Sequence, residues 1–153
     1  MDTGVRIVDL NILDYHAADP ENLKKAATYH GKITLEAGVN ISAREKQVTI
    51  ALKATLFIQN ESKDLINAGY IISQTVFDLL MWDKFVKKDG SKYAIDKRLD
   101  SFLIGVSYDS LRGLLRERGK NHIVGKIILP VVDPADITRV NVARKAGKTK
   151  NKA

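Results

Sequence analysis

The side chains best suited to chemistry are concentrated in one short stretch near the start of the chain. Asp14, His16, Asp19 and Glu21 lie close together there. Carboxylates and an imidazole can ligate a metal ion or move protons in acid–base catalysis. Their spacing matches no metal-ligand motif, and a solvated loop carries the same residue types. We therefore expect no metal site and no cofactor at this cluster.

Other catalytic patterns are missing from the sequence. The chain has no Cys, and Gly31-Lys32 lacks the upstream glycine and the Ser or Thr of a phosphate-binding loop. No Gly-x-Ser-x-Gly motif is present to carry a nucleophilic serine. The sequence therefore predicts that the protein is not an enzyme.

Cellular location is constrained by the apolar segments. The longest uncharged stretch, 65–77, contains several polar residues and is shorter than the roughly 18 apolar residues that a membrane helix needs. The first residues lack the basic and apolar regions of a secretory signal. Together with the absence of Cys, this favours a cytoplasmic protein without membrane insertion.

The net charge of +7 is unevenly distributed along the 153 residues. Residues 1–138 sum to only +1, whereas residues 139–153 hold six basic side chains and no acid. We predict a single domain over 1–138 and a basic, disordered tail over 139–153. The alternative function that this tail suggests is nucleic-acid or ribosome binding through Arg139, Arg144, Lys145, Lys148 and Lys150, assisted by Arg112, Arg116, Arg118 and Lys120.

Hydrophobic periodicity predicts strands in the first half of the chain. A strand over 4–13 is followed by a polar connection, Asp14 to Tyr29, and then by period-two alternation over 32–41, 48–59 and 64–77. Because the turns at 42–45 and 60–63 are short, these three strands form an antiparallel meander. For the last of them we predict an apolar face composed of Ile66, Ala68, Tyr70, Ile72 and Val76.

The period changes to that of a helix in the second half. Leu99, Leu103, Leu111 and Leu115 have helical spacing, with a phase slip that predicts a kink or a new start at Ser107. Gly119 is expected to end the helix in the left-handed conformation. An extended apolar segment follows at 127–134, because its prolines exclude a helix, and Asp133-Pro134 predicts a last short helix.

Two segments and the order of the elements carry a resemblance to a known family. Residues 107–119, SYDSLRGLLRERG, are similar to the end of the main helix of the SecB export chaperones, and residues 128–134, ILPVVDP, resemble the proline-containing segment that follows that helix. The resemblance covers about residues 4–138. It implies an α+β fold, with a four-stranded antiparallel sheet followed by a long C-terminal helix packed on it.

The resemblance also implies a function and partners. SecB proteins are cytoplasmic holdases in protein transport and translocation, and they assemble as dimers of dimers that bind unfolded client polypeptides, including preproteins for export, in apolar grooves. In the family, an acidic sheet face docks the SecA motor. Here Glu36, Glu45 and Glu61 are offset by Lys32, Lys46 and Lys53, which argues against SecA docking. Some relatives serve toxin–antitoxin pairs, and that role remains open for this chain.

Client-binding candidates follow from the same resemblance and from apolar positions that break a pattern. Ile33 and Leu35 match the start of the groove-lining strand, and Tyr15 to Tyr29 match the crossover connection beside it. Phe57 and Ile71 interrupt the polar faces of their strands, which favours an exposed position or a subunit contact. The remaining candidates are Phe77 and Trp82 in the aromatic cluster at 77–85, and Leu129, Val131 and Val132 in the proline-containing segment. Packing in the core or at a subunit interface is the alternative for each candidate, and it is the default for the aromatic cluster.

Overall fold

The central feature of the fold is a long antiparallel sheet. The structure, a computed structural model, describes residues 4–20, 28–59 and 62–140. Four strands, β1 (Val5–Ala17), β2 (Tyr29–Ser42), β3 (Gln47–Gln59) and β4 (Leu65–Leu79), pair in the order β1-β4-β3-β2. The predicted meander is confirmed, and its last strand, β4, also pairs with β1.

One helix covers the inner face of this sheet. A short α1 (Trp82–Phe85) and a hairpin of β5 (Val86–Asp89) and β6 (Lys92–Ile95) lead into α2 (Lys97–Arg118). The Asp96 carboxylate caps α2 by accepting hydrogen bonds from the backbone N–H groups of Arg98 and Leu99. The buried stripe of α2 packs on β3 and β4, and it includes Leu99, Leu103, Leu111 and Leu115.

The predicted new start at Ser107 and the conformation predicted for Gly119 are wrong. The helix is continuous through Ser107, whose buried Oγ donates to the Leu103 carbonyl (2.8 Å) inside it. Gly119 has φ −96°, outside the left-handed region. The glycine is needed for space instead, since a Cβ on Gly119 would lie 2.9 Å from the Cα and N of Gly125.

The predicted face of β4 is also wrong along most of the strand. Ile71, Phe77 and Leu79 point into the core with two buried hydroxyl residues, Ser73 and Thr75, between them. Tyr70, Ile72 and Val76 lie on the outer face, opposite β3 residues such as Lys53. The reason is a bulge at Leu56/Phe57, which changes the side-chain phase near Gly69. Periodicity alone favoured the more apolar face and could not detect the bulge.

The sheet is larger than the predicted four strands and is not wholly antiparallel. After α2 the chain passes through a 3₁₀ turn, Ile123–Lys126, and returns along β2. Two short strands in this region, β7 (Ile127–Ile128) and β8 (Thr138–Arg139), pair parallel with β2. We call residues 127–139 the return segment. The predicted short helix is present in it as a 3₁₀ turn, Pro134–Asp136.

Gly69 offers a test of the β-bulge. Its φ is +129°, and a Cβ there would collide with the His16 carbonyl of β1. We expect Gly69→Ala to lower the free energy of unfolding by about 2–4 kcal/mol, since it adds both backbone strain and overpacking. Urea denaturation measures the change.

Gly113→Ala is the matched control for that substitution. A Cβ at this position of α2 meets no atom within 4 Å. We expect it to raise the stability by about 0.5–1 kcal/mol through helix propensity. Similar destabilisation by both substitutions would contradict the described geometry at Gly69.

Candidate functional site

The return segment creates an apolar groove because it meets β2 only at its two ends. β7 pairs with Tyr29 and His30, and β8 pairs with Glu36 and Ala37. Between them the chain contains Pro130 and Pro134, which have no N–H group to donate to a neighbouring strand. The middle of the return segment therefore stands away from β2.

The space between β2 and the return segment is the β2-edge groove, with a volume of about 370 Å³. Ile33 and Leu35 of β2 line it from one side, and Val132 and Ile137 line it from the other. Its remaining lining residues are polar: Thr34, Glu36, Asp136 and Thr138. An apolar floor with polar edges suits an extended peptide that contains aliphatic side chains.

Beside the groove, the return segment presents apolar side chains to solvent. Val131 is 95% exposed and Ile128 is 49% exposed, whereas Leu129 and Val132 are half-buried against the core. We call residues 128–132 the apolar ridge. A side chain as exposed as Val131 contributes nothing to the core of this chain, so its apolar surface is available for a partner.

Three polar contacts hold the ridge and the end of the return segment in place. The Tyr108 hydroxyl of α2 donates to the Pro130 carbonyl (2.6 Å). Burial raises the pKa of Tyr108, so the hydroxyl keeps its proton and remains a donor. Arg139 pairs with Asp100 of α2 (2.7 Å), and the Val140 N–H donates to the Ala37 carbonyl (2.8 Å). The exposed valine is therefore carried by an anchored backbone.

The start of the connection after β1 is tied to the turn after α2. The His122 Nδ1 donates to one oxygen of Asp19 (2.7 Å), and the Ile123 N–H donates to the other (3.0 Å). These two hydrogen bonds, the His122 bond first, lower the pKa of the Asp19 carboxyl below its usual 3.8. The Arg118 guanidinium lies over the Tyr15 ring (4.9 Å to the centroid) and adds a second contact between β1 and the end of α2.

The predicted client-binding residues separate into an accessible group and a buried group. In the accessible group, Ile33, Leu35 and Val132 come together in the β2-edge groove, Val131 is on the ridge, and Leu129 lines a second groove at the other end of the ridge. Phe57 is half-buried on the outer face of the sheet, opposite Lys32.

Ile71, Phe77 and Trp82 are core residues and not the accessible surface that we expected. Their exposed fractions are 8% or less, and all three belong to the main hydrophobic cluster under α2. Ile71 and Phe77 come after the bulge along β4, where the odd-numbered side chains point inward. A client could contact these side chains only if the core opened.

Sequence reasoning did not single out Ile128 and Ile137. Ile128 belongs to the apolar run that contains Leu129 and Val131, so the run itself was a signal. Ile137 gave no comparable signal, because its role depends on β8 returning to β2.

The fold gives Asp14 and Asp19 of the acidic cluster different partners. Asp14 accepts a hydrogen bond from the Tyr70 hydroxyl (3.1 Å), whereas Asp19 faces His122, and Glu21 lies outside the described residues. Within 4–20, 28–59 and 62–140, no group of three His, Cys, Asp or Glu residues could hold a metal ion. Of the predicted tail cations, Arg139 belongs to β8, and Arg144, Lys145, Lys148 and Lys150 also lie outside the described residues.

Comparison with solved structures finds a similar fold. A SecB-like chaperone of Mycobacterium tuberculosis, in complex with a peptide from an antitoxin, has a TM-score of 0.60 at 16% identity, over 84% of this chain and 90% of that one. A Streptococcus agalactiae protein of unknown function matches with a TM-score of 0.38 at 12% identity, over 84% of this chain and 97% of that one.

Comparisons of the sequence with models of protein families and with curated proteins find no match. In the part of the chain that the structure describes, no helix has both the length and the apolar character to cross a membrane. The likeness in fold to the mycobacterial chaperone agrees with the predicted α+β class and with the resemblance found in the sequence.

The Asp19 contacts give a pH-dependent prediction. Because folding lowers the pKa of Asp19, its ionised form stabilises the folded state above about pH 3.8, and this contribution is lost as the pH falls through the lower pKa of the folded carboxyl. We expect Asp19→Asn to be less stable than the wild type at neutral pH, and this difference to shrink as the pH falls below 3.8. Urea denaturation at neutral pH and at a series of acid pH values measures the difference.

Asp89→Asn, at an exposed position of β5, is the control for the loss of one carboxylate. A stability difference between Asp19→Asn and the wild type that stays constant across the acid range would show that the charge of Asp19 does not matter.

Proposed function

We propose that this protein is a SecB-like holdase, which binds unfolded polypeptides on the apolar ridge and in the β2-edge groove. The observation that carries the proposal is Val131, which is 95% exposed on a backbone segment that Tyr108 anchors from the helix. The likeness in fold to a SecB-like chaperone supports the same assignment. Such an activity needs accessible apolar surface and no catalytic group.

The energy of binding at one ridge is limited. Complete burial of one aliphatic side chain contributes about 1.5–3 kcal/mol, whereas micromolar affinity requires about 8 kcal/mol beyond the cost of ordering the client. A few side chains at one ridge therefore bind a client weakly. Repetition of the ridge and the groove in an assembly would give a long client several contacts at once.

The free edge of β1 supports such an assembly. In the described part of the chain, β1 pairs on one side only, with β4. Ile7, Val8 and Leu10 are exposed large apolar residues on this edge strand. Long apolar edges favour pairing with another strand, so we propose that two copies associate through β1 and that dimers combine into a homotetramer.

The class of client follows from the site. An extended segment with aliphatic side chains fits the β2-edge groove, and both preproteins before export and unfolded antitoxins contain such segments. The mycobacterial chaperone of similar fold holds an antitoxin peptide. We place the activity in the cytoplasm, where newly made chains of both kinds occur.

Substitution of the ridge tests the proposal. We expect Ile128→Ser with Val131→Ser to weaken the binding of an unfolded client about tenfold, because two exposed aliphatic contacts are lost. The folded state should change little, since Val131 is almost fully exposed. Light scattering during the dilution of a denatured client measures the delay of its aggregation.

Leu65→Ser is the matched control for the ridge substitutions. Leu65 is 50% exposed at the start of β4 and lines neither the groove nor the ridge. Equal loss of the holdase effect in both proteins would refute the assignment of the ridge.

Truncation tests the nucleic-acid alternative, which the comparisons do not support. We expect a chain that ends at Val140 to keep its holdase activity. The alternative would be favoured if the protein's only detectable activity were salt-sensitive RNA or DNA binding and the truncation abolished it.

The assembly has a test of its own. Four copies of 17.0 kDa predict a mass of about 68 kDa by light scattering. We expect Val8→Lys with Leu10→Lys to reduce this mass, because buried lysines disfavour a β1–β1 contact. Lys substitution at Leu65, an exposed residue at the start of β4, should leave the mass unchanged. A wild-type protein that is strictly monomeric would count against both the assembly and the chaperone.

A further inference from the structure

A second groove lies at the other end of the apolar ridge from the β2-edge groove. It has a volume of about 590 Å³ and runs between the last turns of α2 and the start of the return segment. Leu129 belongs to its wall, whereas Val132 belongs to the β2-edge groove, so the ridge separates the two. We call it the helix groove.

Aliphatic side chains form the floor of the helix groove. Leu115 of α2 and Ile127 of β7 are buried beneath it, Leu129 is half-buried, and Ile128 remains half exposed. None of the described residues that line this groove is aromatic. The floor therefore offers aliphatic contact but no ring on which a nucleic-acid base could stack.

Four basic side chains surround this floor. Arg112, Arg116 and Lys120 follow one another at intervals of four residues along α2 and the turn after it, and Lys126 comes from the 3₁₀ turn. Asp109 is the one acidic residue among the described lining residues. The walls of the groove are therefore strongly positive in a domain whose residues 1–138 sum to +1.

Internal ion pairs neutralise this charge only in part. Arg112 Nη1 is 3.6 Å from Asp109 Oδ1, and Lys120 Nζ is 3.3 Å from Glu117 Oε1, and both pairs are exposed. No acidic side chain of the described chain forms an ion pair with Arg116. Exposed pairs of this kind are weak and exchange easily with a partner's carboxylates.

The helix dipole does not account for the arrangement. Cations in the last turn of a helix stabilise its carbonyl end, which explains Arg116 and Arg118. Arg112 lies more than a turn earlier, and Lys126 belongs to another element, yet both line the same groove. Arg118 does serve the fold, because its guanidinium lies over Tyr15 instead of lining the groove.

We propose that the helix groove selects client segments in which acidic residues flank an aliphatic core. The inference rests on the proposed holdase function and assigns a charge preference to one of its binding surfaces. The aliphatic core would lie on Ile128 and Leu129, the accessible aliphatic residues of the floor, while the flanking carboxylates pair with Arg112, Arg116 and Lys126. The combination of apolar floor and basic walls favours such a polypeptide over a nucleic acid.

Two synthetic peptides test the preference. Both carry the same aliphatic core, one with Glu flanks and the other with Lys flanks, and fluorescence anisotropy measures their binding to the full-length protein. We expect the Glu-flanked peptide to bind about tenfold more tightly at low salt, and the ratio to shrink as salt screens the exposed charges.

Matched variants locate the preference on the molecule. Arg112→Gln with Arg116→Gln should reduce the ratio of the two peptides' affinities about fivefold, because two of the four cations that line the groove are removed. Lys87→Gln with Lys88→Gln removes the same charge from β5, outside the groove, and should leave the ratio unchanged. Denaturation midpoints of all variants establish that they are folded.

The outcomes separate this inference from the function on which it rests. Equal affinity for the two peptides, together with delayed aggregation of a client, would overturn the charge preference and leave the holdase intact. Failure to bind either peptide or to delay aggregation would overturn both. A single-stranded RNA that displaces the Glu-flanked peptide and binds more tightly would assign the helix groove to nucleic acid instead.

Discussion

The groove and the ridge depend on two prolines that prevent the return segment from pairing along the whole open edge of β2. The edge of β2 presents backbone N–H and C=O groups that need partners, and a returning chain can supply them. Pro130 and Pro134 cannot donate, so pairing is restricted to β7 and β8 at the two ends of the return segment. The unpaired middle stands away from the sheet, and this separation produces the β2-edge groove and the apolar ridge together.

Helix α2 holds this arrangement from the other side. Its buried leucines pack on the sheet, while Tyr108 and Asp100 bind two points of the return segment. The same helix presents Arg112 and Arg116 to the helix groove. One element therefore covers the core, holds the return segment that carries the ridge, and supplies the charge of the helix groove.

The accuracy of the sequence analysis differed between elements for physical reasons. The alternation in β2 and β3 was sufficient to predict both strands, because their buried positions are apolar without exception along the core face. In β4 the core face includes Ser73 and Thr75, and the bulge near Gly69 changes the phase, so periodicity favoured the wrong face. Ile71 was consequently expected on the surface. At Ser107 the sequence left a kinked helix and a new start as alternatives, because nothing local shows that the serine hydroxyl bonds within the helix, to the Leu103 carbonyl.

By itself the sequence determined the four long strands, the main helix, the short turns of the meander and the apolar character of residues 127–132, because local periodicity and the prolines act on near neighbours along the chain. Only the tertiary structure decided that Ile33, Leu35 and Val132 share a groove, that Val131 is exposed while Leu129 is not, and that Arg112 and Lys126 face the same floor. These relations join residues far apart in sequence. They depend on where the return segment meets β2 and α2, and no local pattern encodes that meeting point.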